Sequence, residues 1–307
     1  MSEHRLAVTI VGYGAVGRAL TLALHKAGAR IVQIAEHEDS ERIRLAQEEG
    51  FRVFPLHMVE TDVDLIVLAV GDSQIETVAR ELCESLDTNS ARNHDPSDAV
   101  PEKGKPVVMH LSGGTGLEVL SPLGEMGFPV LAWHPIQTFP AMAEPERFRG
   151  IFIGMTGDDT GLALGEHLAS LVGAKSMVVP NELRARYHLA SVLASNFMPM
   201  LLEMGAQRFA GIAPTMQDAW QALLPLVRGM VDNMEQMGPA GAMTGPVTRD
   251  DLRTVLAHLG TFSNPEEEEL YRSLIHGLLS LAVRSGRMTP ERSKAWYEAL
   301  GPQGSRN

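Results

Sequence analysis

The chain has 307 residues, of which 44% are hydrophobic and 21% charged, with 38 acidic against 26 basic side chains and a net charge of −12. That length suffices for one large domain or two ordinary ones. The acidity argues against a binder of duplex nucleic acid or of an anionic membrane surface, both of which require a basic face.

The single cysteine, Cys83, excludes an intrachain disulfide and a cysteine-rich metal site, and it fits a cytoplasmic, reducing compartment. The early apolar run LAVTIV is too short for a signal peptide, and LIVLAV at 65–70 falls far below the ~20 residues that span a bilayer. In chain order, LAVTIV (6–11) reads as a strand, 16–27 as a helix and RIVQIA (30–35) as a second strand. SERIRLAQEEG follows as a helix ending on Gly50, then a short strand FRVF, then LIVLAV with a helix over 73–86. PVVMHL (106–111), PVLAWH (129–134) and IFIGMT (151–156) read as further strands. Short apolar runs alternating with helices predict a parallel sheet covered on both faces, the doubly wound α/β (Rossmann) class. The polar stretch 87–105 reads as a surface loop inserted before a strand.

After about Pro180 strand-like runs give way to helical patterns over 182–208, 215–237, 248–259, 266–285 and 289–299. The expectation is a dinucleotide-binding domain over 1–180 and an all-α substrate and dimerisation domain over 181–307. Methionines cluster in NFMPMLLEM and RGMVDNMEQM. At helical spacing they read as core or subunit interface, which points to a homodimer through the helical domain.

VTIVGYGAVGRAL is the sharpest motif. Gly12, Gly14 and Gly17 form G-x-G-x-x-G between a strand and a helix, with Tyr13, Ala15 and Val16 completing the loop. The first glycine permits the tight turn, the second lets the backbone approach a pyrophosphate, and the third lets helix and strand pack closely. The helix N-terminus offers unpaired N–H groups to the phosphates. Glu36 stands 19 residues past Gly17, where an acid grips the adenosine ribose and repels a 2′-phosphate, so NAD is favoured over NADP. His37 and Arg42 lie near enough to keep NADP open. Val70 and Gly71 end the fourth strand and belong beside the cofactor, while Asp72 reads as the cap of the helix starting near Ser73.

Three polar motifs remain for a substrate. HLSGGTG (110–116) follows a strand, and there Ser112, Gly113 and Gly114 offer a hydroxyl and close backbone approach. HPIQTF (134–139) exposes His134 and Gln137 at a turn. In MTGPVTRDDLRTVLAHL (243–259), Thr248 reads as a helix N-cap, Asp250 and Asp251 as first-turn acids, Arg249 as a carboxylate ligand and His258 as structural. Within RYHLASVLASN (186–196), a helical wheel puts Ser191, Ser195 and Asn196 on the side of His188, opposite Leu189, Leu193 and Phe197.

VGYGAVG, MHLSGGTG, LAWHPIQTF, ARYHLASVLASNF, ALLPLVRGMVDN and AMTGPVTRDD…VLAHL together resemble a family of NAD(P)-dependent oxidoreductases that pair a Rossmann-like domain with a C-terminal helical domain of unknown function. The family is similar in architecture to pyrroline-5-carboxylate reductase, ketopantoate reductase and the 6-phosphogluconate dehydrogenase-like superfamily. Two departures stand out. The family's Arg-Gly-Asp turn is Arg249-Asp250-Asp251 here, and Glu36 replaces the more frequent Arg or Ser.

The resemblance implies that the first long helix after the nucleotide domain carries the proton donor. On this reading His188 is the general acid and His134 its rival, Asn196 and Ser195 hold polar atoms of the substrate, and Ser112 with nearby N–H groups binds its carboxylate or developing charge. Arg249 acts on the carboxylate, across a dimer interface in related folds. The expected reaction is reduction or oxidation of a C=O or C=N group of a small carboxylate, with no metal. A dinucleotide sensor without turnover is the alternative.

Overall fold

The structure, a computed structural model, describes residues 5–36, 41–90 and 104–301. Its strands are β1 (Ala7–Val11), β2 (Arg30–Ala35), β3 (Val53–Phe54), β4 (Leu65–Leu68), β5 (Val107–His110), β6 (Val130–Pro135), β7 (Phe152–Gly157) and β8 (Lys175–Val178). The helices that cover them are α1 (Ala15–Lys26), α2 (Glu41–Glu48), α3 (Ile75–Ser90), α4 (Ser121–Glu125), α5 (Asp159–Leu171) and α6 (Arg184–Ser195). The rest are α7 (Met198–Gln207), α8 (Met216–Ala242), α9 (Leu252–Leu259), α10 (Pro265–Arg284) and α11 (Pro290–Leu300). Packing divides the chain into two compact units, Met1–Phe197 and Met198–Asn307.

In the first unit eight strands form one sheet in the order β3-β2-β1-β4-β5-β6-β7-β8. The first six follow the doubly wound order, with the switch of direction between β1 and β4. Alternation along the strands fills a core on each face. Leu65 and Val67 of β4 join one cluster with Val8, Ile10, Met109 and Trp133, and Ile66 and Leu68 join the other with Val11, Val108, Leu82 and Leu120. The second unit has its own core of Val255, Ile275, Leu279, Trp296 and Leu300.

The sheet is not all parallel as expected: β7 runs antiparallel to β6, and β8 is parallel to β7. A parallel return needs a long crossover, and the link from β6 to β7 holds only one 3-10 turn at Pro145–Phe148. Strand β8 escaped the sequence reading because it is a short edge strand, with Val178 at 65% exposure. The expected loop over 87–105 starts later, since α3 continues to Ser90, and 91–103 lie outside the described residues.

The helix expected over 182–208 is two helices, α6 and α7, with α6 in the first unit. Pro199 sits at the second position of α7, where it fits a first turn but could not continue a helix arriving from Ser195. Within Asn181–Gln207 an 18-residue window reaches a mean hydropathy of 1.3, which by length and composition alone is apolar enough to cross a membrane. In α8 the helical path breaks at Gly238, which has φ +70 and precedes Pro239.

Thr248 does not cap α9. Its hydroxyl donates to the Gly245 carbonyl, and Asp251 is the cap, accepting from the Thr254 amide at 3.1 Å. Asp250 is not a first-turn acid either: it stands at φ +57, with its carboxylate accepting from Arg292 Nε at 2.5 Å and Trp296 Nε1 at 2.8 Å. The left-handed backbone gives a physical reason for glycine in the resembling family, and here the two side-chain bonds offset the strain.

One buried polar network joins the glycine loop to α2's end. Tyr13 Oη donates to Glu49 Oε2 at 2.6 Å, and Arg18 Nε and Nη2 donate to Glu49 Oε1 at 2.9 and 2.5 Å. Arg18 Nη1 donates to the Ala143 carbonyl at 3.2 Å. Arg18→Met leaves a largely buried carboxylate without its countercharge. We expect a loss of about 3 kcal/mol in urea denaturation of the full chain, against about 1 kcal/mol for Tyr13→Phe, which removes one hydrogen bond.

Candidate functional site

The nucleotide end is built where β1 meets α1. Gly12 has φ +96, and a Cβ there would lie 2.7 Å from the Ala69 carbonyl oxygen, so only glycine makes this turn beside β4. At Gly17 a Cβ would strike the Gly12 carbonyl and come within 2.8 Å of Ala69 Cβ, so this glycine sets the helix-on-strand approach. Gly14 meets nothing within 4 Å, and its open side lies on a cavity of about 490 Å³.

That cavity is lined by Gly12, Gly14, Ala15, Val16, Glu36, Arg42, Val70, Gly71 and Ser112, among others. Of the expected cofactor residues, Tyr13 and Gly17 are absent from its wall: Tyr13 turns its ring into the core and Gly17 packs inward. The first amides of α1 have no intrahelical partner and carry the positive end of the helix dipole. Glu36 closes β2 with Oε2 accepting the Tyr13 amide at 2.7 Å, so it braces the glycine loop while lining the cavity. Glycine room, free amides and an acid at the end of β2 fit a dinucleotide; His37 lies outside the described residues.

Asp72 is not a helix cap. It opens the 3-10 turn Asp72–Gln74, and its Oδ2 accepts from Ser112 Oγ at 2.8 Å. Ser112 is buried, accepts from the Thr115 amide at 3.1 Å and lies 2.9 Å from Thr115 Oγ1. Its hydroxyl therefore shapes the loop after β5 while the residue still touches the cavity wall.

The next two residues, Gly113 and Gly114, lie beneath imidazoles from two distant segments. A Cβ at Gly113 would be 2.8 Å from His134 Nε2 and 2.9 Å from His188 Cδ2, and one at Gly114 would be 3.0 Å from His188 Nδ1. The two rings stand nearly perpendicular with centroids 6.0 Å apart. His134 Nδ1 is 2.8 Å from Tyr187 Oη. The structure thus brings together Ser112, Gly113, His134 and His188. It leaves Ser195 and Asn196 aside: the single hydroxyl hydrogen of Ser195 has two acceptors, the Ser191 carbonyl at 3.0 Å and Asn196 Oδ1 at 2.8 Å, and the two residues stand about 10 and 12 Å along the helix axis from His188. Arg249 is an exposed residue of the second unit. His258 pairs through Nδ1 with Tyr271 Oη at 2.8 Å, in keeping with a structural role.

Sequence reasoning assigned no role to Arg184, Tyr187 or His110. Arg184 is 1% exposed, donating from Nε to the Thr115 carbonyl at 2.6 Å, from Nη1 to Thr156 Oγ1 at 2.9 Å, and from Nη2 to the Ser112 carbonyl. It pins the start of α6 to the loop after β5. Tyr187 and His188, three and four residues on, project from the same helical face. His110 accepts the Ser112 amide on Nδ1 at 3.2 Å, and its Nε2 lies 3.2 Å from the Gly116 carbonyl. The usable signal was glycine inside a strand, at Gly154, which marks a close approach.

Burial, followed by the Arg184 charge, pulls His110 down to about 4. Burial, followed by the charges of His188 and Arg184, pulls His134 down to about 4. Both are neutral at pH 7. The unfolded chain takes up these protons near pH 6.5 and the native state does not, so stability falls as pH drops from 6.5 toward 4. Each group contributes up to about 1.4 kcal/mol per pH unit within that window. Urea midpoints at pH 7, 6 and 5 should decline, and His134→Gln should flatten the slope.

Residues 1–135 match the Rossmann-like domain family and residues 151–276 the domain of unknown function DUF2520. Among solved structures, protein BF3122 from Bacteroides fragilis, provisionally named an NADP oxidoreductase, is 21% identical, with 88% of this chain and 96% of that chain covered at a TM-score of 0.70. Protein TM1727 from Thermotoga maritima is 24% identical, covering 92% of this chain and 100% of its own, at 0.65. A pyrroline-5-carboxylate reductase from Coxiella burnetii is 16% identical, covering 95% and 96%, at 0.53. At these identities the likeness is one of fold. The chain thus joins an N-terminal Rossmann-like domain to a C-terminal DUF2520 domain.

Proposed function

We propose that the chain is an NAD(P)-dependent oxidoreductase acting on a C=O or C=N group of a small carboxylate, in the manner of ketopantoate or pyrroline-5-carboxylate reductases. One observation carries this reading. Ser112 lines the dinucleotide cavity, and the two glycines that follow it lie under the imidazoles of His134 and His188. Cofactor space and proton-bearing groups therefore meet at the carboxyl ends of β1, β4, β5 and β6, where such sheets place their ligands.

A bound nicotinamide dinucleotide supplies the hydride. The protein's task is to orient the acceptor carbon and to protonate the atom bonded to it. His188 gives its proton to the substrate oxygen or nitrogen as that atom gains the π electron pair. The product is an alcohol or amine, and neutral His188 regains a proton from water. His134 is held neutral by burial, so it serves as a hydrogen-bonding neighbour rather than the proton source. Arg249 is assigned to the substrate carboxylate, NAD is preferred because Glu36 lines the cavity, and the enzyme works in the cytoplasm.

The partner is a second copy of the chain. Support comes from the exposed Leu226, Val231, Met234 and Met237 of α8, which are 68%, 51%, 37% and 55% exposed and form apolar surface suited to a homodimer.

Two measurements test this reading. His188→Gln should lower turnover with 2-keto acids or cyclic imines by ~10²-fold or more while dinucleotide affinity stays within about twofold. A wild-type chain that binds dinucleotide and turns over none of these substrates would instead be a sensor. Glu36→Ser should raise the NADP-to-NAD preference by about tenfold and weaken both dinucleotides, because the Tyr13 amide loses its acceptor. An unchanged ratio in a competition titration would show that Glu36 does not meet the ribose.

A further inference from the structure

The phenol of Tyr187 sits where glycine alone leaves room. In the β6–β7 ladder His134 stands opposite Gly154. A Cβ on Gly154 would collide with Tyr187 Oη and Cζ. The phenol oxygen packs directly against the backbone of Gly154. The phenol's own hydrogen then has two acceptors nearby on His134: Nδ1 at 2.8 Å and the backbone carbonyl at 3.4 Å. The shorter contact is the better hydrogen bond. Burial pushes Tyr187 up to about 12, so it keeps its proton at neutral pH.

A neutral imidazole has one N–H and one acceptor nitrogen, and the bond made by one nitrogen fixes the role of the other. With Nδ1 accepting from Tyr187, the hydrogen of His134 resides on Nε2. That nitrogen lies against Gly113, beside His188, and makes no hydrogen bond to another described residue.

We propose that Tyr187 is a positioning residue: seated on Gly154, it locks His134 as the Nε2–H tautomer, so that a neutral imidazole presents an N–H donor to the substrate's acceptor oxygen or nitrogen beside Gly113. The substrate role rests on the oxidoreductase reading, whereas the tautomer does not. A preorganised neutral donor stabilises charge as it develops and gives up no proton, which leaves protonation to His188. It also lowers the local positive charge, since two imidazolium ions 6.0 Å apart would repel.

The test is long-range 1H–15N NMR of the uniformly 15N-labelled full chain at pH 7.5, with ring signals assigned through His134→Gln and His188→Gln. His134 should show a single Nε2–H pattern, and Tyr187→Phe should convert it to a tautomer mixture. Gly154→Ala, which displaces the phenol, should do the same, provided thermal melts show both variants folded. An Nδ1–H pattern in the wild type, or an unchanged spectrum in Tyr187→Phe, overturns the proposal. This readout needs no turnover, so it decides the tautomer even if the oxidoreductase reading fails. In the kinetic arm, Tyr187→Phe should lower kcat by about tenfold with the dinucleotide KM unchanged. His134→Asn, which retains a neutral N–H donor, should keep about tenfold more activity than His134→Ala. Equal activity in the Asn and Ala variants overturns the donor role.

Discussion

The candidate site depends on the buried guanidinium of Arg184. A charge this deep persists only when its donors are matched, and here all three nitrogens find oxygen: the carbonyls of Ser112 and Thr115 and the hydroxyl of Thr156. Those acceptors belong to the loop after β5 and to β7, so one side chain sets the position of both relative to α6. Because side chains one helical turn apart share a face, fixing Arg184 also fixes Tyr187 and His188. The glycine pair needs no side chains of its own; it provides the floor on which two imidazoles rest.

Two histidines beside one loop could be redundant, but their surroundings separate them. His134 lies half-buried in a strand, and it faces a phenol on one side and a second imidazole on another. His188 comes from a helix and lies over the open glycines. Desolvation and like charge push one ring toward neutrality, and a phenol seated on a strand glycine fixes which nitrogen holds the remaining hydrogen. Environment, not residue type, divides the labour.

Much of this was legible in the sequence where the signal is local. The glycine spacing, the alternating short strands and the acid at the end of β2 all follow from neighbours a few residues apart, and each lies where expected. The direction of β7 was not legible, because IFIGMT has the same pattern whichever way it runs. The Asp72 carboxylate was misread because its partner, Ser112, is 40 residues away, while the local rule for helix starts offered a ready alternative. Nothing in the residues around Arg184 marks it in the sequence; only the three-dimensional neighbourhood shows that it is interior. The convergence of His134 and His188, over 50 residues apart in the chain, is likewise a property of topology rather than of any motif.

Glu36 does two jobs with one carboxylate. One oxygen takes the Tyr13 amide and so holds the turn between β1 and α1 in shape; the carboxylate also forms part of the wall beside that turn. Retargeting this pocket is therefore not a single-site exercise. An engineer who removes the acid to admit a more negatively charged ligand must also install a substitute acceptor for that amide, or the scaffold that greets the ligand will slacken along with the preference being rewritten.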